Sequence, residues 1–274
     1  MKRARGRTRR FAQHFLAPAW ARKVVEVIAP GPDDVFVEIG PGRGVLTRPL
    51  AERARRVVAV EIDRDLAREL RASVPPNVTV VEADVLAADL EALVGSEGRY
   101  RVAGNLPYNI SSPVLFKLVD TWRRHGHLAD AVLMLQREVA DRVAAPPGSR
   151  AYGALSALVQ LHADVSRRLV VPPGAFRPAP QVVSAVVHLV FRPPRVPVSD
   201  PAVFERLTRR IFERRRKTLR NALAPVARAG GRSVDDLLAR AGLDPRRRPE
   251  TLGLEELARL ADALAGRADA PPVL

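Results

Sequence analysis

The chain has 274 residues, 47% hydrophobic and 27% charged, which leaves room for one large domain with a small companion and excludes wholesale disorder. It contains no cysteine, so disulfides, thiol nucleophiles and thiolate-bound metal centres are excluded. No apolar run approaches the roughly 18 residues of a membrane span, and no signal-peptide core follows the charged N-terminus, so a cytoplasmic protein without a membrane partner is expected. The net charge of +15 is unevenly spread. Residues 1–10 carry six basic groups and no acid, residues 11–194 carry 22 basic against 19 acidic, and residues 195–274 carry 17 against 11. A near-balanced middle with cationic flanks suits a protein that grips a polyanion, and a nucleic-acid partner is expected.

In chain order, residues 1–10 are too basic and too poor in apolar groups to pack, and read as a basic mobile arm. Short β-branched runs follow at 35–39, 56–61, 78–82 and 100–103, separated by segments of helical spacing such as 46–54 and 65–72. Strands alternating with helices predict an α/β domain with a parallel, Rossmann-like sheet. A further strand is expected over 131–135, a helix near 138–144, and two strands around 169–171 and 182–191. Four prolines in the eleven residues from Phe191 to Pro201 then break every pattern. Beyond them only helices are predicted, roughly 201–213, 216–228, 233–241 and 254–265, with Gly230-Gly231 and Asp244-Pro245 as punctuation and a frayed end. The expected organisation is an arm over 1–10, a catalytic domain over 11–194 and a small all-α domain over 195–274.

The residues that carry chemistry follow the strand ends. Glu38-Ile-Gly40-Pro-Gly42-Arg-Gly44 succeeds the first strand, where glycines let a ligand approach the backbone. A dinucleotide fingerprint needs a glycine where Val45 stands, so the pattern suits a nucleoside ligand without a pyrophosphate, and a nicotinamide dehydrogenase is disfavoured. Glu61 ends the second strand, able to accept both hydroxyls of a ribose, and Asp84 follows the third, placed for an adenine amine. Together these strand ends favour S-adenosyl-L-methionine. The fourth strand runs into Asn105-Leu-Pro-Tyr108. Adenine's exocyclic amine is a poor nucleophile because its lone pair is delocalised. The Asn105 amide oxygen and the Leu106 carbonyl can accept its two hydrogens and draw the nitrogen toward tetrahedral geometry. Pro107 holds the turn, and Tyr108 offers a ring to a base extruded from its helix. No tuned general base is required, because water can take the proton of the methylated amine.

These motifs resemble, in order, those of the ribosomal RNA adenine N6-dimethyltransferases of the KsgA type. Gln13-His-Phe-Leu16, Leu135-Gln-Arg-Glu-Val139, Tyr152-Gly153, the stretch from Val171 to Pro178 and Arg214-Arg-Arg-Lys-Thr-Leu-Arg-Asn221 extend the resemblance along almost the whole chain. It implies a class I S-adenosylmethionine-dependent methyltransferase fold. It further implies that His14, Leu16, Gly40, Glu61, Asp84 and Asn105 contact the cofactor, and that Phe176 is a second aromatic sandwiching the adenine against Tyr108. The implied reaction dimethylates N6 of two adjacent adenosines in the 3′-terminal hairpin loop of 16S ribosomal RNA. The implied partner is an immature 30S particle, the enzyme acting as a monomer with a part in small-subunit assembly and no metal of its own. His14 stands where many relatives carry Asn, Ala12 where Gly is usual, and Val183 where an acid is common. The alternatives are a macrolide-resistance enzyme acting on 23S ribosomal RNA and a non-catalytic RNA-binding assembly factor. The basic run 214–221 argues for the small-subunit enzyme, the intact Asn105–Tyr108 against a non-catalytic factor. Over about two helical turns, Arg214, Lys217 and Arg220 of the basic run are expected to align at i, i+3 and i+6, meeting phosphate together with Arg246, Arg247 and Arg248.

Overall fold

The computed structural model describes residues 14–95 and 98–266; the basic arm and the C-terminal end lie outside them. By internal contact the chain divides into two units, one running to Ala140 and resuming over Asp164–Phe191, the other comprising Asp141–Ala163 and the chain from Arg192. Residues 141–163, which fall within 11–194 in chain order, therefore group by contact with the later helices.

The first unit is built on a seven-stranded sheet: β2 (Val35–Ile39), β3 (Arg56–Glu61), β4 (Val78–Glu82), β5 (Tyr100–Asn105), β6 (Leu128–Gln136), β7 (Ala163–Val171) and β9 (Ser184–Phe191), in the order β4-β3-β2-β5-β6-β9-β7. The β2–β3, β3–β4, β2–β5 and β5–β6 pairs are parallel, and β9 runs antiparallel to β6. All five residues of β2 are buried, as in a strand covered on both faces. The connecting helices include α1 (Pro18–Ile28), α2 (Thr47–Ala51), α3 (Arg64–Arg71), α4 (Leu90–Val94) and α5 (Ser111–His125). In α1, Ala21, Val24, Val25 and Ile28 recur at helical spacing and enter one core with Phe36, Val57 and Ala59 of the sheet. The two-residue strands β1 (Phe15–Leu16) and β8 (Phe176–Arg177) pair antiparallel outside the main sheet, with Leu16 opposite Phe176.

Strand order places the site. From β2 the chain first moves outward to β3 and β4, then returns to β5 on the other side of β2, so a crevice opens beyond the carboxyl ends of β2 and β5. Their register sets Ile39 beside Gly104, so the glycine turn after β2 and the Asn105 tetrapeptide after β5 emerge side by side. That proximity depends on Gly104: a Cβ there would lie 2.6 Å from the Ile39 carbonyl oxygen. In the turn itself, Gly44 has φ +77, a backbone conformation that strains any side chain, and a Cβ would have to displace the Leu70 side chain, whose Cδ1 lies 2.5 Å away.

α6 (Arg137–Val143) leads into the second unit, which is helical: α7 (Ala154–Gln160), α8 (Pro201–Phe212), α9 (Leu219–Ala229), α10 (Val234–Ala241) and α11 (Leu254–Leu264). Asp200 ends the proline-rich stretch as the cap of α8, its carboxylate accepting from the Ala202 and Val203 N–H groups at 3.0 Å. Leu207, Ile211, Leu223, Leu237, Leu257 and Leu260 are fully buried. The helix expected over 216–228 starts at Leu219, and Arg214–Lys217 form a turn before it. The Leu219 N–H donates to the Arg247 carbonyl at 2.6 Å and the Arg220 N–H to that of Pro245 at 3.2 Å. These loop carbonyls satisfy N–H groups that a helix start leaves orphaned, which fixes the start after the basic run.

Candidate active site

A cavity of about 1050 Å³ opens at the carboxyl rim of the sheet. It is lined by His14 just before β1 and Leu16 in it, Gly40 and Gly42 from the turn after β2, Glu61 from the end of β3, Asp84 after β4, Asn105 at the end of β5 and Leu106, Pro107 and Tyr108 after it. The structure thus brings all the cofactor-contact candidates into one chamber with the tetrapeptide.

Glu61 is only 4% exposed, yet its carboxylate is not exhausted: Oε2 accepts from the Gly42 N–H at 3.0 Å and Oε1 from the Asp63 N–H at 2.9 Å, leaving lone pairs for a diol. Burial pushes its carboxyl above the ordinary range, while the N–H groups of Asp63 and Gly42 pull it back. The first of these bonds also ties the glycine turn to β3. Asp63 caps α3, accepting from Asp65 and Leu66, and so holds the chain just past Glu61. Asp84 sits at the exposed rim, where its Oδ1 accepts from the Leu86 N–H at 2.9 Å. Glu38, 1% exposed, is pushed up to about 7 by burial, with the Thr47 hydroxyl working against the rise and the Glu61 charge adding to it. Burial thus favours the neutral form of this carboxyl. These residues fit S-adenosyl-L-methionine: a carboxylate for ribose hydroxyls, an acid at the rim, apolar walls from Ile39, Val60 and Ile110, and Val45 where a pyrophosphate fingerprint needs glycine.

At the neighbouring slot, Asn105 Nδ2 donates to the His14 carbonyl at 3.2 Å, and Tyr108 Oη shares a 2.8 Å hydrogen bond with Ser184 Oγ. The Tyr108 ring stacks on the His14 imidazole, centroids 5.9 Å apart with planes at 28°. Phe176 corrects the expectation made for it. It is 1% exposed, belongs with its cross-strand partner Leu16 to the hydrophobic core and is not among the residues that line the cavity. The ring beside Tyr108 is His14. Ser184 escaped the sequence reading as well; only the register of β9 on β6, which sets Ser184 opposite Gln136, brings its hydroxyl here.

The basic candidates lie in the second unit and correct the expected helical alignment. Arg214 and Lys217 belong to the turn, so they share no helical face with Arg220. Arg220 pairs with Asp235 at 2.8 Å, and Arg247 is held by Glu256 and the Thr251 carbonyl. Arg246 lies 3.6 Å from Asp244. The bonds from Leu219 and Arg220 nevertheless pin the turn 214–217 beside the loop 245–248. Among the described residues no group of three His, Cys, Asp or Glu could hold a metal, and no helix is long and apolar enough to cross a membrane.

The sequence profile described as "Ribosomal RNA adenine dimethylase" matches residues 5–262. The chain belongs to this family. A ribosomal RNA small subunit methyltransferase A from Anaeromyxobacter sp. strain K is 47% identical over 264 residues, covering 93% of this chain and 92% of that one. A protein of the same name from Geobacter metallireducens is 45% identical, covering 92% and 91%. In the fold, the family member resembles a dimethyladenosine transferase from Plasmodium falciparum, with TM-score 0.74 and 24% identity over 90% of this chain and 96% of that one. It also resembles the 23S rRNA methyltransferase ErmE, with TM-score 0.66 and 27% identity over 92% and 99%.

Proposed function

We propose that the protein transfers methyl groups from S-adenosyl-L-methionine to N6 of adenines in small-subunit ribosomal RNA, dimethylating two adjacent adenosines of the 3′-terminal hairpin loop of 16S ribosomal RNA. The observation that carries this reading is the single cavity joining Gly40, Glu61, Asp84 and the Asn105–Tyr108 turn. The relatives named ribosomal RNA small subunit methyltransferase A, which match nearly end to end, support it. When bound, the cofactor supplies an electrophilic methyl on a sulfonium. His14, Leu16, Gly40, Glu61, Asp84 and Asn105 hold it. Asn105 Oδ1 and the Leu106 carbonyl accept the two amine hydrogens, Pro107 holds the turn and Tyr108 stacks the unstacked base. The turn 214–217 with Arg248 offers cations for phosphate, and Arg220, Arg246 and Arg247 must leave acidic partners to join them. The substrate is an immature 30S particle met in the cytoplasm by a monomer, with residues 195–274 as the RNA-binding body and the basic arm as its second cationic contact.

Radiolabelled methyl transfer to unmethylated 30S and 50S subunits, followed by mapping of the modified base, tests this. Label on adenines of the small subunit is expected. Label confined to 50S particles would favour the 23S reading, and binding without label the assembly-factor reading. Arg214→Glu with Lys217→Glu is expected to weaken particle binding and to flatten its salt dependence by roughly one to two charges' worth of slope.

A further inference from the structure

We propose that His14 is a positioning residue for the transfer, acting on both ends of the Asn105–Tyr108 turn. Its carbonyl oxygen selects which edge of the Asn105 amide meets the target amine, and its imidazole backs the ring on which the base stacks. This rests on the reading that Asn105 and Tyr108 receive an adenine.

An asparagine amide presents an acceptor on one edge and two donors on the other, and its terminal torsion is broad and roughly two-fold, so the residue itself does not choose. The target amine brings hydrogens and needs the acceptor. The His14 carbonyl can only accept, and it lies 3.2 Å from Asn105 Nδ2. The nitrogen is thereby committed to residue 14, which leaves Oδ1 for the amine. An amide turned the other way would set two carbonyl oxygens against each other and donors against donors at the slot.

His14 can exert that choice because its strand is fastened along its length. Phe15 pairs with Arg177 and Leu16 with Phe176, the latter pair buried, and the Ala17 N–H donates to the Ala175 carbonyl at 2.8 Å. Next to the strand, His14 Nδ1 lies 2.8 Å from the Pro178 carbonyl. Since that oxygen only accepts, Nδ1 carries the hydrogen. The same tether fixes the imidazole against Tyr108, whose hydroxyl is hydrogen-bonded to the fully buried Ser184. One face of the tyrosine is thus backed and its edge clamped, so the stacking surface is set before a base arrives. The burial of Phe176 acquires a function in this arrangement: it anchors the strand that carries His14.

Three variants separate the parts. His14→Asn keeps a donor near the Nδ1 position and loses the ring, His14→Phe keeps the ring and loses the donor, and His14→Ala loses both. Two measurements are made on each: the single-turnover rate at saturating cofactor on unmethylated 30S subunits, and hydrogen exchange of the Asn105 side-chain amide by NMR, assigned with Asn105→Asp. For His14→Ala the rate is expected to fall about ten- to a hundredfold at saturating cofactor and the amide to lose its protection, with partial rescue of the rate in Asn and Phe and of protection in Asn. A rate within about twofold of wild type, or a loss cancelled by more cofactor, would overturn the proposal and leave His14 as a cofactor contact only. Should His14→Ala not fold, the Asn and Phe variants still decide, since unchanged rate and protection in both refute it. Failure of the wild-type protein to methylate any adenine would instead refute the functional reading, while the amide measurement continues to judge the role of His14.

Discussion

The two edges of the sheet are equally rich in charge and do opposite things with it. At the amino edge, Arg101 gives Nε and Nη2 to the two Asp130 oxygens at 2.7 and 2.9 Å, Nη1 to Asp34 at 2.7 Å and Nη2 to the Ile28 carbonyl at 2.8 Å. His188 Nε2 closes on the same Asp130 at 2.7 Å. Burial alone would raise the Asp130 carboxyl, but the hydrogen bonds from His188 and Arg101 outweigh it and hold it below the usual range. At the carboxyl edge, Glu61 keeps acceptor capacity beyond two backbone N–H groups, Asp84 faces the rim, and Glu38 is buried without a cationic partner among the forces that set its ionisation. Charge density does not mark a site. Acceptor capacity left over beside a cavity does, and spent capacity marks a clamp that joins α1, β5, β6 and β9.

The contrast can be broken at either edge. Asn105→Ala is expected to lower single-turnover methyl transfer roughly a hundred- to a thousandfold with little change in thermal unfolding. Arg101→Ala should do the reverse, costing about 3 kcal/mol in urea unfolding by taking the guanidinium from the buried Asp130 and the half-buried Asp34, while cofactor affinity stays at the wild-type value; an equal loss of affinity would erase the distinction. Glu38→Gln sharpens it through pH. Because folding raises the Glu38 carboxyl from 4.5 to about 7, its contribution is fully present at low pH and is lost as pH climbs through that interval. The variant should flatten this decline in unfolding free energy measured between those values. Asp130→Asn has the opposite sign: a depressed carboxyl stabilises at neutral pH and loses its contribution as acid protonates it, so the variant's stability curve should be flatter below about pH 5.

Much of the catalytic rim could be named before any coordinates, because each of its residues follows a strand whose β-branched run is self-evident. The runs 35–39, 56–61 and 78–82 are strands with those same ends, and Glu61, Asp84 and Asn105 stand at or just past such ends. What escaped depends on register and partners at a distance. Two-residue strands have no period, so the β1–β8 pair and the burial of Phe176 left no local signal. Ser184 reaches Tyr108 only through a pairing 76 residues apart. The basic run 214–217 has composition that a helix tolerates, but the carbonyls that start α9 belong to a loop near 246, outside any local window. Likewise, chain order assigns 141–163 to the preceding strands, whereas contact assigns it to the helices that follow.

Gly104 touches no proposed ligand, yet it governs how much sequence freedom the site has. The atom a side chain would strike there is a backbone oxygen of β2, which cannot swing aside as a flexible side chain could. Even alanine must wedge the two central strands apart and carry the tetrapeptide away from the glycine turn. A saturation library at codon 104 should therefore return glycine alone among active clones. At such a position intolerance to mutation reports strand spacing, and a map of mutational sensitivity would mistake it for a binding contact.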